Sequence, residues 1–449
     1  MIDKIQFENY SPEEKLDFLE SFHGKEINDD EVKFIASLLM HDDLAVRNKS
    51  AVMLSSSDNP LTPSKLSMLI SSKEIYVRNL SGEILVNLGE KATRALVNHL
   101  PSSNADDQKF IIDLLGLIKD TSATGAILKV LHKSENENVI LACFETLGNF
   151  ASDDYVDVLI EFYDKNEVYK AGIIDALLKI GSPKVLDFIQ TRYSDEDELT
   201  KFLMLECLGV IGDEKTFFFL LSEVTQLKEP LIWPAISSLR KLKDKLGYDI
   251  PFDEKMKNAV MKTLNHGGSE YKKDAARLIF AFDDRDVIIA SLNVLGEDAE
   301  LDEELKGKFF EHSTLIFTKI PELISKNPKN LKSLVYLTRE LFVNDPSLPS
   351  FLSSIEIRNI CNAFSNCLDN SDEEIRRVAM EMLFVLSRET ALLYIDKMMY
   401  DDSFWNRLRL VEILGSYIDE ESAALLQKLA DDPDEMVREK VTEILETNN

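Results

Sequence analysis

The residues of this 449-residue chain whose types could do chemistry are six histidines, four cysteines and three acidic runs. An imidazole can ligate a metal or carry a proton near neutral pH. His23, His41, His99, His132, His266 and His312 include no two at ligand spacing on one predicted helix, and no H-E-x-x-H occurs. His41 and His132 fall in predicted turns, where solvated side chains are expected. Cys143, Cys207, Cys361 and Cys367 form no C-x-x-C. Cys143 and Cys207 lie on apolar faces, where cysteine acts as a small buried residue. This usage implies a reducing compartment, the cytoplasm, and no disulfide framework. The acidic runs Asp195-Glu196-Asp197-Glu198, Asp283-Asp284-Arg285-Asp286 and Asp431-Asp432-Pro433-Asp434-Glu435 could hold calcium or pair carboxylates. None has the twelve-residue calcium loop with its central glycine and final glutamate. They are expected to be solvated turn acids and partners of helix N-termini. No phosphate-binding glycine loop and no G-x-S-x-G is present, and His266-Gly267-Gly268-Ser269 reads as a short turn. The expected catalytic, cofactor-binding and metal-ligating sets are therefore all empty.

Binding residues are easier to find. Phe217-Phe218-Phe219 is the most unusual local run. Successive helix residues point about 100° apart, so three adjacent rings cannot share one seam. Burial of all three by neighbouring elements is the plain expectation, and an exposed ring would serve as an anchor for a partner. Trp233 and Trp405, just inside predicted helices, are expected to pack on the next unit. Net charge is −29 and the pI is about 4.7. Such a surface repels nucleic-acid backbones and favours basic partners. Residues 1–60 carry 13 acids against 6 bases, and 401–449 carry 13 against 5. Between these ends, residues 239–277 hold ten bases, Arg240, Lys241, Lys243, Lys245, Lys255, Lys257, Lys262, Lys272, Lys273 and Arg277, against six acids. The expected partner-binding set is Phe217, Phe218, Phe219, Trp233, Arg240, Lys241, Lys243, Lys245, Lys255 and Lys257.

These residues hang on a repeat. Leu85, Leu115, Leu147, Leu177, Leu208 and Leu239 stand 30, 32, 30, 31 and 31 residues apart, and Leu383, Leu414 and Ile444 resume the rhythm with gaps of 31 and 30. A fixed period in this range means stacked supersecondary units. Ser11-Pro12-Glu13-Glu14 marks a helix start, a device that Thr62-Pro63, Ser182-Pro183 and Asp432-Pro433 are expected to repeat. Gly89, Gly181 and Gly212 follow the last apolar residue of a helix, where left-handed caps are expected. Apolar spacing in 122–152 predicts two helices, one around Ile127, Val130 and Leu131, the other through Val139, Cys143, Leu147 and Phe150. No apolar run reaches the roughly 20 residues of a membrane span, and the start lacks the features of a signal peptide. The chain is all-α.

Several second helices open with a β-branched residue and a base: Val46-Arg47, Val77-Arg78, Ile375-Arg376 and Val437-Arg438. An acid often precedes the pair, a small residue follows, as in Arg47 to Ala51, and Leu208-Gly209-Val210-Ile211-Gly212-Asp213 closes one unit. This pattern resembles the HEAT repeat, in the short form common in bacterial proteins and similar to the repeats of phycobilin lyases. It covers about 31–245 and 370–449. The resemblance implies an α-solenoid, a right-handed superhelix of antiparallel helix pairs. Units in 122–240 carry Ile140, Tyr169, Thr200 and Ile232 where the arginine is expected, so no continuous Asp/Arg ladder is expected there.

Residues 243–350 break the rhythm, with a longer amphipathic pair expected in 302–325 and 329–343 and a second joint at Pro346-Ser347-Leu348-Pro349. The expected organisation is a repeat block at 1–245, an irregular helical segment or hinge at 246–350, and a second block at 351–449. With no catalytic constellation, the expected function is a non-catalytic protein-interaction scaffold or adaptor in a cytoplasmic complex. Its partners would be proteins, basic ones at the acidic ends, with no cofactor, nucleic acid or membrane span. The resemblance also admits a lyase-like enzyme subunit of the chromophore-attachment type.

Overall fold

The computed structural model describes residues 4–22 and 24–447, so His23 lies outside the described residues. Every regular element among them is helical. The chain divides into two compact units, Met1–Thr216 and Phe217–Asn449.

In the first unit, first helices Asp29–Ser37, Leu61–Leu69, Glu90–His99, Thr124–Lys133, Val156–Tyr163 and Lys184–Arg192 alternate with second helices Leu44–Ser55, Ile75–Leu88, Ala105–Ile118, Glu137–Phe150, Glu167–Ile180 and Glu198–Ile211. Second helices stack on one another along the unit. The rhythmic leucines Leu85, Leu115, Leu147, Leu177 and Leu208 form the seam and are fully buried. Burying one such side chain contributes about 1.5–3 kcal/mol, so each turn of the repeat adds to a continuous core.

In the second unit the alternation runs without a gap through 246–350: Glu254–His266 with Ser269–Arg277, Arg285–Ser291 with Ala299–Glu311, and Ser313–Ser325 with Leu331–Asn344. The first helices of this stretch pack each on the next. The rhythm lapses because connections change length. Residues 247–253 join Ile232–Leu246 to Glu254–His266, whereas His312 alone separates two helices. The expected helix through 302–325 is therefore two. His312 leaves helical geometry at φ −107°, ψ 27°, and its Nε2 lies 2.7 Å from Asp283 Oδ1. The unit closes with Ser354–Cys367 and Glu373–Leu386, then Arg388–Leu393 and Ile395–Met399 with Phe404–Gly415, then Glu420–Leu429 with Glu435–Thr447.

Helix ends follow the sequence signals in part. Ser11 and Glu14 form the reciprocal capping pair. The other three proline sites do not repeat it. One helix opens at Leu61, ahead of Thr62-Pro63, another at Lys184, after Pro183, and the last at Glu435, two residues past Pro433. Gly89 and Gly181 take positive φ, but Gly212 stays at −56°. There the chain passes directly into a turn in which Asp213 Oδ1 accepts the Thr216 N–H. Lys119 (φ 59°) and Ala151 (φ 51°) occupy the left-handed position that Gly181 fills in its own unit. No helix among the described residues is long and apolar enough to cross a membrane.

Candidate interaction surface

Several of the turns that join first to second helices are held by the fourth residue of the second helix. In the C-terminal repeats this residue is arginine. Arg376 donates from Nε and Nη2 to both carboxylate oxygens of Asp401, each at 2.8 Å, and from Nη1 to the Asn370 carbonyl at 2.9 Å. Arg407 repeats the arrangement one unit on, with Asp432 at 2.7 and 2.9 Å and the Asp401 carbonyl at 2.7 Å. Arg438 then reaches the Asp432 carbonyl at 2.6 Å. Each arginine thus closes its own turn and clamps the next. The two-pronged fit of guanidinium to carboxylate makes these strong contacts. Burial by itself would raise the Asp401 and Asp432 carboxyls; the guanidiniums and backbone N–H donors outweigh it and hold both below the usual carboxylate range. Asp432, expected in solvent, is buried because Arg407 draws it in.

The base is not missing from 122–240 as a whole. Helix Glu167–Ile180 carries Lys170 at its fourth position, 2.8 Å from Glu196, and Glu198–Ile211 carries Lys201, 3.0 Å from the Ser194 carbonyl. Tyr169 and Thr200 are the third residues of those helices. Ile140 does occupy the fourth position, so the ladder is interrupted there.

The first turn of the second helices also exposes apolar side chains: Leu44, Ile75 and Tyr76, Val168, Leu199, Trp405 and Met436. Tyr76, Trp405 and Met436 are all second residues of their helices. Their surroundings differ. Tyr76 carries the guanidinium of Arg47 over its ring, 4.7 Å from the centroid. Arg78 likewise stands 4.7 Å over Phe110. Trp405 is 50% exposed and touches the Phe404 ring at 4.5 Å. No cation stands over it among the described residues. Tyr400, in the turn before it, is 78% exposed, and Met436 is 47% exposed. The cause is one position. Four residues before Tyr76 the chain has Ser72; four before Trp405 it has Asp401, and four before Met436, Asp432. The carboxylates pull Arg376 and Arg407 down into the stack. With serine there, Arg47 remains available for the ring.

The expected mid-chain set is placed as follows. Phe217 is buried, its ring 5.6 Å from Tyr248, while Phe218 is 52% exposed and packs at 5.7 Å on the same tyrosine. Phe219 is half-buried. The rings fan out around the helix, so burial of all three fails. Trp233 is half-buried with its indole N–H enclosed, whereas Trp405 does not pack away as expected. Arg240 pairs with Asp244 (2.6 Å) and Asp274 (2.9 Å), and Lys241 lies 3.9 Å from Asp274. Lys257 bridges Asp284 (2.9 Å) and Asp286 (2.7 Å). Lys273 and Arg277 pair with Asp298 and Glu304. Much of the basic belt is therefore neutralised by acids of neighbouring repeats. Lys243 is half-buried, and Lys245 and Lys255 are exposed.

His41 is not a solvated turn residue. Its Nδ1 accepts the Asp43 N–H at 2.9 Å, Lys15 Nζ approaches its Nε2 at 3.4 Å, and Phe7 packs on the ring. His132 is exposed against Phe162. All four cysteines are buried and unpaired. Burial pushes the Cys143 and Cys207 thiols up to about 12 and Cys367 to about 11, which keeps them protonated and unreactive.

Tyr400 and Asp401 carry the C-terminal surface, and neither was among the expected site residues. The signal for Asp401 is its spacing: an acid 25 residues after the arginine, repeated at Asp432 after Arg407. Nothing local distinguishes Tyr400 from a buried turn tyrosine.

No curated protein matches the chain. Among solved structures, similarity extends over 92% of this chain and 99% of a chain from work on a conserved phosphorylation switch controlling the interaction between cadherin and beta-catenin (14% identity, TM-score 0.30). It covers 92% for importin beta (13%, 0.34) and 97% for Kap121p (11%, 0.39), of which this chain spans only 60% and 55%. The model of HEAT repeats matches residues 93–177 and 361–446. The first match contains Gly116 and Gly148, and the second contains Arg376, Arg407 and Arg438. Over those two regions, the chain is built of HEAT repeats.

Proposed function

We propose that this protein is a non-catalytic protein-interaction scaffold. The observation that carries the reading is the exposure of Tyr400, Trp405 and Met436 on adjacent turns of one edge, in a block that also exposes Phe351, Leu393 and Tyr417. Exposed aromatic side chains on a rigid frame are what a partner's binding energy concentrates on. The C-terminal ladder supplies the frame, since it fixes the turns that bear these residues.

The block at 351–449 carries the principal surface. Phe218, with Phe219 and Trp233 nearby in sequence, marks a second zone, and Lys243 and Lys255 are the belt cations offered to an acidic contact. Arg240, Lys241 and Lys257 serve there as internal ties. Four unpaired, buried cysteines support work in the reducing cytoplasm, within a regulatory or assembly complex.

The test is reconstitution. A partner captured on the native chain is purified and mixed with the wild type and with Tyr400→Ala/Trp405→Ala. A one-to-one complex weakened at least tenfold by the double variant supports the scaffold reading. Purified protein that instead turns over a small molecule, and binds no protein, overturns it.

A further inference from the structure

We infer that the C-terminal turn edge binds an extended, positively charged peptide segment of a partner protein, with an arginine or lysine side chain of that segment seated on the bare face of Trp405. The inference rests on the scaffold reading and adds the chemistry of the partner.

Three observations lead to it. The first is a slot that the chain fills in one unit and leaves open in the other. Arg47 covers Tyr76, the second residue of the following second helix, at 4.7 Å. The equivalent ring, Trp405, has no such cover because Arg376 is committed to Asp401 by two hydrogen bonds and to the Asn370 carbonyl by a third. Tryptophan is the strongest of the aromatic faces for a cation. A guanidinium from outside can take the place that Arg47 takes over Tyr76.

The second observation is a hollow of about 330 Å³ on the same turn edge, towards the next repeat, lined by Tyr400, Asp402, Arg407, Lys428, Asp431 and Pro433, among others. It lies between the turns of two successive repeats and has room for one long side chain with an aromatic wall. The third is charge. Asp401 and Asp432 are consumed by Arg376 and Arg407. Asp402 and Asp431 in the hollow, Glu373 on the preceding turn and Glu435 beside Met436 are exposed, with no cation in ion-pair reach among the described residues. Two cations line the hollow: Arg407, which is spent on Asp432, and Lys428, which opposes the basic segment. The surface therefore offers aromatic faces ringed by unneutralised carboxylates, which fits a basic segment carrying apolar residues and disfavours an acidic one. Met436, one turn further on, is placed to meet an apolar side chain of the same segment.

The experiment uses the full chain and a fluorescein-labelled nine-residue peptide of alternating arginine and leucine, read by anisotropy at 50 and 200 mM NaCl. The same peptide with glutamate for arginine is the control. The wild type is expected to bind the arginine peptide, more weakly at the higher salt, and not the glutamate peptide. Trp405→Ala is expected to weaken binding at least tenfold. Asp402→Asn/Asp431→Asn is expected to weaken it several-fold and flatten the salt dependence. Lys428→Glu is expected to strengthen it several-fold. Asp29→Asn/Asp30→Asn/Glu31→Gln, which removes three acids at the other end of the chain, is expected to change nothing. Circular dichroism and the melting temperature verify that each variant is folded. Equal loss in the N-terminal variant reduces the effect to net charge and overturns the site. So does unchanged binding by folded Trp405→Ala. If the peptide fails to bind while Tyr400→Ala/Trp405→Ala still releases a reconstituted protein partner, the basic-segment inference falls and the scaffold reading stands.

Discussion

Two stretches of second helices solve the same problem by different physics. In 105–180 the helices come close enough for backbone contact. A Cβ added at Gly148 would lie 2.8 Å from the Ala176 Cα, and one at Gly116 would lie 2.7 Å from Thr146 Oγ1. Thr146 in turn donates to the Ile112 carbonyl at 3.0 Å, across the same contact. In 373–447 the arginine ladder sets the register instead, through Asp401 and Asp432. The close contacts at Gly116 and Gly148 in the first stretch involve no ionised group. The second depends on two carboxylates staying ionised. The ladder also decides what faces solvent: unlike Arg47, which covers Tyr76, an arginine spent inside the stack cannot shield the ring at the head of the next helix.

The contrast breaks most sharply at Asp432. Asp432→Ala strands a buried guanidinium, and urea unfolding followed by tryptophan fluorescence should show a loss of about 3–5 kcal/mol in the second unit. Replacing both partners, Arg407→Met with Asp432→Leu, should recover most of it, because no charge is then left unpaired. A smaller effect is expected in the other stretch. Gly148→Val forces the close helices apart and should cost about 1–3 kcal/mol, with no dependence on salt.

Acid should separate the stretches without mutation. Asp401 and Asp432 are held below the usual carboxylate range in the folded chain. A depressed carboxyl contributes stability that is complete above its unfolded value, about 3.9. That contribution is lost as pH falls from there through the folded value. Melting followed from pH 6 to pH 3 should show the second unit weakening below about pH 4, and the Arg407→Met/Asp432→Leu variant should flatten that fall. The smallest effect is a gain. Ala151→Gly relieves a left-handed backbone at φ 51° and should stabilise the first unit by about 0.5–1 kcal/mol, read as a rise in its melting temperature.

Much of the fold was legible because it is written in local spacing. The leucine rhythm marks the buried seam, and Ser11 with Glu14 marks a helix start. Register within a turn was less legible. Lys170 and Lys201 sit one residue after Tyr169 and Thr200, and only the position of the N-cap, Asn166 or Asp197, identifies which residue is fourth. The acid-rich turns also concealed two kinds of carboxylate. Asp431 and Asp432 are adjacent and chemically identical, yet one faces solvent and the other is buried. The basic belt reads as a surface in a charge count, but Arg240, Lys241 and Lys257 meet carboxylates that lie 27 to 34 residues away in the chain.

By itself the sequence determined that this is an all-α repeat protein, where a few of its helices start, and which leucines form the seam. Those properties depend on residues three or four apart, so a linear pattern carries them. The tertiary structure alone decided which charges are spent and which ring is left bare. Arg376 chooses between Asp401 and Trp405, 25 and 29 positions away, and that choice is made only when one repeat packs on the next.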